Sequence, residues 1–542
     1  MIHVYEKLRR KEEKSMKKFL SMVFLGLFVF PLVLFNGEME AWAQETKGKR
    51  FVWAREHEFD NLDPHLVYDV SRVATRINMY DGLYRWQKNP PEIEPWVAKS
   101  YKVSSDGLKW TFRLREGVKF HDGSEVTAEA VKYSIERLLA LGQGAAPLFK
   151  EVVSKGSTRI VDKYTVEFNL SKPYAPFLSI IPELHIVNPG LCKANEVGND
   201  WGSKWLASHE AGSGAYQLAN YDPAVGIAMK RFKDHFMGWG SKYVEEVEFR
   251  TMREVASKVL ALQKGEIHAG DEYSIPVEQL EKLKKDPSIY IVKEPSMRTF
   301  VFQIHNQRPP LNDVHVRRAI SYAFDYEGFI KNVMGGTVSR NTGPIPNNMW
   351  GAPKDLKGYE YNLEKAKKEL ALAQVKIDRP LKFYAMIGIA PIKAAGLILQ
   401  SGLAQIGIKL EIVEETWPVL TGKATNIDTS LDIWAHYVST YYPDPNNWIG
   451  EMYNSANHGS WKASSWYKNP KVDEMLNRAL KTVDMKERKK LYEEASRIVV
   501  EDAAGIWIYN TDWYCPFRKS VRGVRYCPVG SGQEVRGIYL EE

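Results

Sequence analysis

The chain has 542 residues, more than one hydrophobic core usually organises, so two or three lobes are expected. Its composition, 44% hydrophobic and 26% charged without a low-complexity tract, is that of a globular protein. The net charge of +7 is dispersed, with no Lys/Arg block in the body of the chain, which argues against nucleic acid as a partner.

Aromatic residues are the outlier of the composition. They make up 12% of the chain, with 16 Trp and 28 Tyr. Two interpretations are open: a core rich in aromatic side chains, or a ligand cavity lined by flat rings, since ligand pockets are largely apolar and aromatic.

The N-terminal segment has the three parts of a secretory signal. MKK at 16–18 is positive, FLSMVFLGLFVFPLVLF at 19–35 is almost entirely apolar, and AWA at 41–43 is a small-residue cleavage site. We expect cleavage after Ala43, with Met16 as the natural start; a retained anchor is the alternative. No Cys lies near the predicted cut, so the mature protein is expected in a bacterial periplasm without a lipid anchor.

Strands dominate the first part of the mature chain. FVWA at 51–54 is a short apolar run, and WTFRL at 110–114 alternates apolar and polar residues after the turn signal SDG at 105–107. TVEFNL at 165–170 alternates in the same way. Between these strands, Thr127 is a predicted N-cap before a helix with one apolar face.

Helices and strands alternate further along the chain. Asp313 precedes a helix, and another is predicted over about 391–406. Gly407 ends that helix as a left-handed C-cap residue would, and IKLEI at 408–412 returns to strand alternation. This alternation, from about 299 to 511, predicts an α/β lobe.

The last part of the chain predicts two strongly periodic helices and a return to strand. One apolar stripe runs over 472–483, and Asp484 with Glu487 is a capping-box signal for the next helix. Strand-like character returns from about residue 512. This order predicts a chain that leaves a first lobe, builds a second and returns.

Motifs of common catalytic chemistry are missing from the sequence. It has no P-loop, no H-E-x-x-H and no G-x-S-x-G, and its 12 His are scattered. We therefore predict no cofactor, no metal and no catalytic residues. Carboxylates are plentiful, and a glycosidase needs only two of them, so that class stays open.

Three cysteines are present: Cys192, Cys515 and Cys527. In an oxidising compartment Cys515 and Cys527 are candidates for a disulfide across a C-terminal hairpin, and two separate thiols are the alternative. None has C-x-x-C spacing, which disfavours redox chemistry and thiolate metal sites.

The stretch TYYPDPNNW at 440–448 stands apart from its surroundings. Its two prolines exclude a regular helix, since each fixes φ and removes a backbone donor. It is too polar for a core strand. An aromatic-rich, proline-punctuated loop is therefore predicted at this point.

Several stretches resemble one known family. FHDGSEVTAEAVKYSIER at 120–137 is similar to the signature region of family 5 of the bacterial solute-binding proteins, the periplasmic receptors of ABC importers for peptides, nickel, opines and some oligosaccharides. Other stretches match in the expected order: LDPH at 62–65, GSGAYQLANY at 212–221, LQKGEI at 262–267 and DVHVRRAISYAFD at 313–325. The number and order of these matches carry the resemblance.

The resemblance implies an α/β, two-lobed periplasmic-binding-protein fold of type II, in the large peptide-binding-like class with an extra subdomain. The ligand cleft lies between the lobes, which two hinge strands join. The implied bounds are lobe I at 44–298 plus 512–542, an inserted subdomain near 84–205, lobe II at 299–511, and hinge strands at 299–305 and 506–512.

The resemblance also gives the loop at 440–448 a role. In peptide-binding relatives, an Asp three residues before the acidic-Pro pair holds the α-ammonium of the peptide. Here the pair is Asp444-Pro445, and Tyr441 stands in place of that Asp. A tyrosine implies a neutral or polyhydroxyl ligand, or a cation lying on the ring.

Further candidate ligand contacts flank the predicted cleft. In a strand, Trp434 and His436 share one face and Tyr437 the other, so not all three can point into it. The full candidate set is Tyr441, Trp417, Trp434, His436, Tyr437, Phe59 and Glu58.

The resemblance implies a monomeric binding protein, not an enzyme. It would capture a small solute by hinge closure and deliver it to an inner-membrane ABC permease. A peptide is the family default, whereas Tyr441 favours an oligosaccharide, an opine or another modified solute. The alternatives are a secreted carbohydrate-active hydrolase and a receptor that presents its ligand to a chemosensory partner.

Overall fold

The computed structural model describes residues 50–68, 73–270, 275–530 and 532–541. The predicted signal segment, 1–43, lies outside the described residues. Within these ranges, no helix combines the length and the apolar character that a membrane crossing requires.

The strands are β1 Arg50–Arg55, β2 Tyr84–Gln87, β3 Glu92–Pro95, β4 Ala98–Val103, β5 Lys109–Leu114, β6 Thr158–Asp162, β7 Thr165–Asn169, β8 Tyr216–Asp222, β9 Gly226–Arg231, β10 Glu246–Thr251, β11 Ile289–Ile304, β12 Val338–Arg340, β13 Leu381–Met386, β14 Leu410–Glu415, β15 Ile433–Val438, β16 Gly505–Arg518, β17 Val521–Arg522 and β18 Tyr539–Leu540.

The α-helices are α1 Val73–Met79, α2 Ala128–Leu141, α3 Ala146–Lys150, α4 Phe177–Ile180, α5 Pro189–Ala194, α6 Ser203–Leu206, α7 Val255–Lys264, α8 Val277–Leu283, α9 Val314–Tyr322, α10 Tyr326–Gly328, α11 Leu363–Leu372, α12 Ala390–Ala404, α13 Trp417–Ala424, α14 Ile449–Tyr453, α15 Pro470–Lys481 and α16 Met485–Glu501.

The predicted lobe I is built on a mixed sheet of order β1-β10-β9-β8, in which β1 runs parallel to β10. Phe51 and Trp53 of the apolar run FVWA lie in its core. Trp53 pairs with Phe249 in register, and the two rings stack at 5.8 Å. Phe517 of β16 packs edge-on against Trp53 at 5.5 Å, which ties the last long strand to this sheet.

The predicted inserted subdomain has its own antiparallel sheet, of order β4-β5-β7-β6. The turn at 105–107 joins β4 to β5 as predicted, with Gly107 at a φ of 71°. Trp110 lies opposite Phe168, and both side chains are buried with α2 in a separate core. This hydrophobic core is distinct from the core of the β1-β10-β9-β8 sheet.

The predicted lobe II contains a sheet of order β12-β16-β11-β15-β13-β14. β13 runs parallel to both β14 and β15, as expected of βαβ units, and α12 packs against it through buried residues such as Leu399. Asp313 accepts a hydrogen bond from His315 N at 2.8 Å and caps α9. Gly407 has a φ of 80°, the left-handed conformation that the sequence predicts after α12.

Two long strands cross the predicted boundary between the lobes. β11 and β16 pair antiparallel from Ile289↔Arg518 to Gln303↔Gly505. The register shifts between Pro295 and Thr299, close to the predicted boundary at 298/299. A bulge bends a strand pair locally. The division into lobes and the hinge position stay predictions, but the chain passes between the two sheets on these strands.

Candidate functional site

The loop at 440–448 is held rigidly by a buried carboxylate. Asp444 is fully buried and accepts hydrogen bonds from Arg488 Nη2 at 3.0 and 2.8 Å. It also accepts from Asn446 N at 3.0 Å, which caps the short 3₁₀ turn Pro445–Asn447. Since α16 supplies Arg488, a helix of the predicted lobe II fixes the path of the loop.

Tyr441 lies where this loop meets the predicted lobe I. Tyr68 Oη donates to the carbonyl oxygen of Tyr441 at 3.2 Å, and the two ring centroids are 5.5 Å apart. Burial raises the pKa of Tyr68 well above its usual value, so its hydroxyl stays protonated at neutral pH. The pair Tyr68–Tyr441 is called the interlobe contact below.

An ion pair lies beside each tyrosine of this contact. On the lobe I side, Arg76 is 2.9 Å from Glu183, and its guanidinium lies 5.2 Å from the ring centroid of Tyr68. Burial is the main influence on Glu183 and raises its pKa, against the opposing effect of Arg76. The guanidinium of Arg76 thus lies over the Tyr68 ring and is paired with the carboxylate of Glu183.

The lobe II side repeats this arrangement. Lys462 Nζ lies 4.4 Å from the ring centroid of Tyr441 and forms an ion pair with Glu451. Tyr442 Oη donates to the same carboxylate at 2.6 Å. Each half of the interlobe contact thus carries one buried cation and one carboxylate, without excess charge on either side.

Two cavities meet at the lobe I ion pair. The first is lined by Tyr68, Arg76 and Glu183 from one predicted lobe and by Thr440 and Tyr441 from the other. The second shares Arg76 and Glu183 and continues into the predicted lobe I. Aromatic side chains line its inner part: Tyr80, Tyr84 and Trp86.

A group of tryptophans, called the tryptophan cluster below, lies in lobe II near Lys462. Trp417 begins α13 and is 37% exposed; its ring is 5.5 Å from Trp434 and 5.1 Å from Trp461. Trp434 is almost fully buried and forms the base of the cluster. Of the two predicted contacts, only Trp417 has a substantial exposed surface for a ligand to touch.

His436 lies beneath this cluster and serves as a hydrogen-bonding group. Its ring is 4.4 Å from Trp434, and Gln303 Nε2 donates to its Nε2 at 3.1 Å. Burial lowers its pKa from 6.5 to about 4, so the ring is neutral at physiological pH. The assigned tautomer then has Nδ1–H donating to the Tyr437 carbonyl at 3.3 Å.

Tyr437 occupies the opposite face of β15, as the alternation predicts. Its hydroxyl lies 2.7 Å from that of Tyr509, and Arg298 lies 4.0 Å from its ring centroid. It packs at 5.0 Å on Phe300 in the lobe II core. The structure thus separates Tyr437 from Trp434 and His436.

The two candidates after the first strand lie away from the interlobe contact. Phe59 is 1% exposed and packs 6.2 Å from Phe249 in the core of the lobe I sheet, so it has no surface to offer a ligand. Glu58 is on the exposed surface and pairs with Arg253. The expectation that these two side chains face a cleft is corrected here, because the sequence did not show which way the chain turns after β1.

The cysteines form no disulfide. Cys192, Cys515 and Cys527 are all thiols, and Cys515 Sγ lies 3.2 Å from the carbonyl oxygen of Gly270 as a hydrogen-bond donor. The candidate bridge between Cys515 and Cys527 is therefore corrected in favour of the alternative of separate thiols. Across the described ranges, no group of three or more His, Cys, Asp or Glu side chains is arranged to hold a metal ion.

The sequence interpretation missed several residues of the contact. Tyr68 and Arg76 lie far from Tyr441 in the chain, and Lys462 and Glu451 belong to no recognisable motif. The only local signal for Lys462 is the neighbouring Trp461, and it is weak. These residues come together only in the folded chain, where the segment after α14 lies against Tyr441.

Comparison with known proteins gives a consistent result over most of the chain. The model of the family "Bacterial extracellular solute-binding proteins, family 5 Middle" matches residues 92–460. The "Probable D,D-dipeptide-binding periplasmic protein DdpA" of Escherichia coli K12 is 31% identical over 477 residues, which cover 86% of this chain and 90% of that protein.

Solved structures resemble the whole fold. The periplasmic binding protein DppA of Helicobacter pylori, in complex with the peptide STSA, has a TM-score of 0.76 and 25% identity, and the match covers 92% of this chain and 100% of that one. The binding protein AgaA in complex with agropinic acid, from A. tumefaciens R10, has a TM-score of 0.73 and 22% identity, and the match covers 91% of this chain and 99% of that one. The second likeness bears on the fold alone.

Proposed function

The chain belongs to family 5 of the bacterial extracellular solute-binding proteins, and on that premise we propose that it captures a small solute between its lobes and delivers it to an inner-membrane ABC permease. One observation carries the proposal: Tyr68 and Tyr441, from the two predicted lobes, line the same cavity. A solute held there touches both lobes, so its binding favours the closed state over the open one.

Peptide-type solutes are the first candidates, because the printed names of the Escherichia coli and Helicobacter pylori relatives refer to peptides. Two features favour a modified or different solute, such as an oligosaccharide or an opine-like compound. Tyr441 supplies a ring and no carboxylate for a free amino terminus. Trp417 offers an exposed ring nearby in lobe II, on which a planar group or a sugar can stack.

A binding role is favoured over hydrolysis by the state of the carboxylates. Glu183 and Glu451 flank the interlobe contact, but each forms an ion pair, with Arg76 and Lys462 respectively. A glycosidase needs one carboxyl group as acid and another as nucleophile or base. We propose that the mature protein works as a periplasmic monomer, and that the permease recognises its closed form.

The test is a thermal-shift screen of residues 44–542 against dipeptides, oligopeptides, oligosaccharides, opines and nickel. A solute at 100 times its dissociation constant stabilises the folded state by about 2.7 kcal/mol. We expect one class to raise the melting temperature and, in small-angle scattering, to reduce the radius of gyration. Failure of every class to do so, or turnover of an oligosaccharide, would contradict the proposal.

A further inference from the structure

Lys462 is a buried lysine whose ammonium group is fully engaged inside the protein. It is 8% exposed. Its Nζ pairs with the carboxylate of Glu451, lies 3.3 Å from Asn447 Oδ1 and is 4.4 Å from the ring centroid of Tyr441. Two of these contacts are hydrogen bonds to oxygen, and the third places the ammonium over the face of the Tyr441 ring.

The backbone that carries Lys462 is held in place by Gln303 of β11. Gln303 Nε2 donates to the carbonyl oxygen of Lys462 at 2.7 Å. Gln303 Oε1 accepts from Ser464 Oγ and from Ser465 N, both at 2.9 Å. Because β11 runs through the centre of the lobe II sheet, the lysine is positioned before any solute arrives.

This placement removes the groups that would attract a cationic part of a solute. The face of an aromatic ring and a nearby carboxylate both favour a positive charge. At Tyr441, the ring and Glu451 are already occupied by the ammonium of Lys462. A solute ammonium placed against Tyr441 would meet a like charge in a poorly hydrated cleft, where such repulsion is strong.

The opposite side of the interlobe contact offers no better place for an ammonium. Arg76 holds its guanidinium 5.2 Å from the ring centroid of Tyr68 and pairs with Glu183 at 2.9 Å. Each tyrosine of the contact therefore carries a cation of the protein. A neutral or anionic group is the kind that both halves tolerate.

We propose that Lys462 is a specificity-determining residue that excludes a free ammonium at Tyr441, so that a peptide-like solute binds with its amino terminus blocked. This inference rests on the proposed function, and it deepens that proposal by naming the group that faces Tyr441. It also assigns Glu451 the role of counter-ion to Lys462 in place of a solute anchor.

The test compares the dipeptide Ala-Phe with N-acetyl-Ala-Phe by isothermal titration calorimetry. We expect the wild-type protein to bind the acetylated form at least about tenfold more tightly, since like charges brought together cost affinity. In Lys462→Met the carboxylate of Glu451 loses its cation beside Tyr441, and we expect the preference to reverse toward free Ala-Phe. Lys468→Met, an exposed lysine in the same segment, is the matched control and leaves the preference unchanged.

A second variant distinguishes the effect of the charge from an effect of misfolding. Lys462→Met/Glu451→Gln removes both charges together, and we expect it to bind the two dipeptides with similar affinity. Tighter binding of free Ala-Phe by the wild-type protein, an unchanged preference in both variants, or no binding of either dipeptide to any variant would overturn the inference. The proposed function fails separately, when no solute class stabilises the wild-type protein in the thermal-shift screen.

Discussion

The ion pair between Arg488 and Asp444 is the contact on which the path of the loop at 440–448 depends. Both side chains are almost fully buried, and Arg488 Nε also donates to the carbonyl oxygen of Ala479 at 3.0 Å. The guanidinium lies 5.0 Å from the ring centroid of Trp350. Replacing Arg488 by Met keeps much of the apolar packing and removes the charge, which leaves the Asp444 carboxylate buried without its cation.

Removing one partner of a buried ion pair costs about 3–5 kcal/mol of folding free energy. We expect Arg488→Met to lose an amount in this range, measured from the shift of the urea unfolding midpoint at pH 7. Arg478→Met is the matched control, because the pair of Arg478 with Glu487 is exposed and such pairs contribute about 0–1 kcal/mol.

A double variant separates the charge from the packing. In Arg488→Met/Asp444→Asn no buried charge is left without a partner, and the Asn oxygen can still cap the turn at Asn446 N. We expect this variant to regain at least about half of the loss. A loss below about 1 kcal/mol in Arg488→Met, or a double variant less stable than Arg488→Met, would refute the reasoning about the buried pair.

Three further outcomes are expected. Tyr441→Ala weakens binding of the solute found in the screen by about 1–3 kcal/mol, whereas Tyr361→Ala, an exposed lobe II tyrosine, does not; equal affinities in titration calorimetry would remove Tyr441 from the site. Burial is the main cause that lowers the pKa of His65 and of His436 from 6.5 to about 4. As the pH falls, the unfolded chain therefore takes up a proton at each histidine before the folded chain does. The free energy of unfolding should therefore decline as the pH falls from about 6.5 to about 4, and urea titrations with a flat profile there would contradict this. Three thiols should react with a thiol reagent in denaturant without prior reduction, and a lower count would show a disulfide that the structure lacks.

Local structure was largely predictable from the sequence, because its causes are local. The alternation of WTFRL places Trp110 and Phe112 in the subdomain core, since successive side chains of a strand point to opposite faces. The alternation at 434–437 likewise predicted that Tyr437 would be separated from His436. Caps and turns at Asp313 and Gly407 followed from the hydrogen-bonding groups and the backbone freedom of single residues.

The candidate site was predictable only in part. The prolines and the acidic-Pro pair predicted the loop, and the resemblance to the family made Tyr441 a candidate contact. The sequence did not show that Phe59 turns into the lobe I core while Trp417 remains exposed, because the direction of an irregular segment depends on its packing partners. The same reason explains the mistaken disulfide: a bridge requires two cysteines at bonding distance, and sequence separation does not report distance.

The family, most helices and strands, and the position of the loop at 440–448 follow from the order of the residues. The charge beside Tyr441 follows only from the folded chain. Tyr68 is 373 positions from Tyr441, and Gln303 is 159 positions from the Lys462 carbonyl that it holds. A buried ion pair depends on distance and dielectric, and both are properties of the folded chain. Residues without a motif thus determine what the cleft can hold.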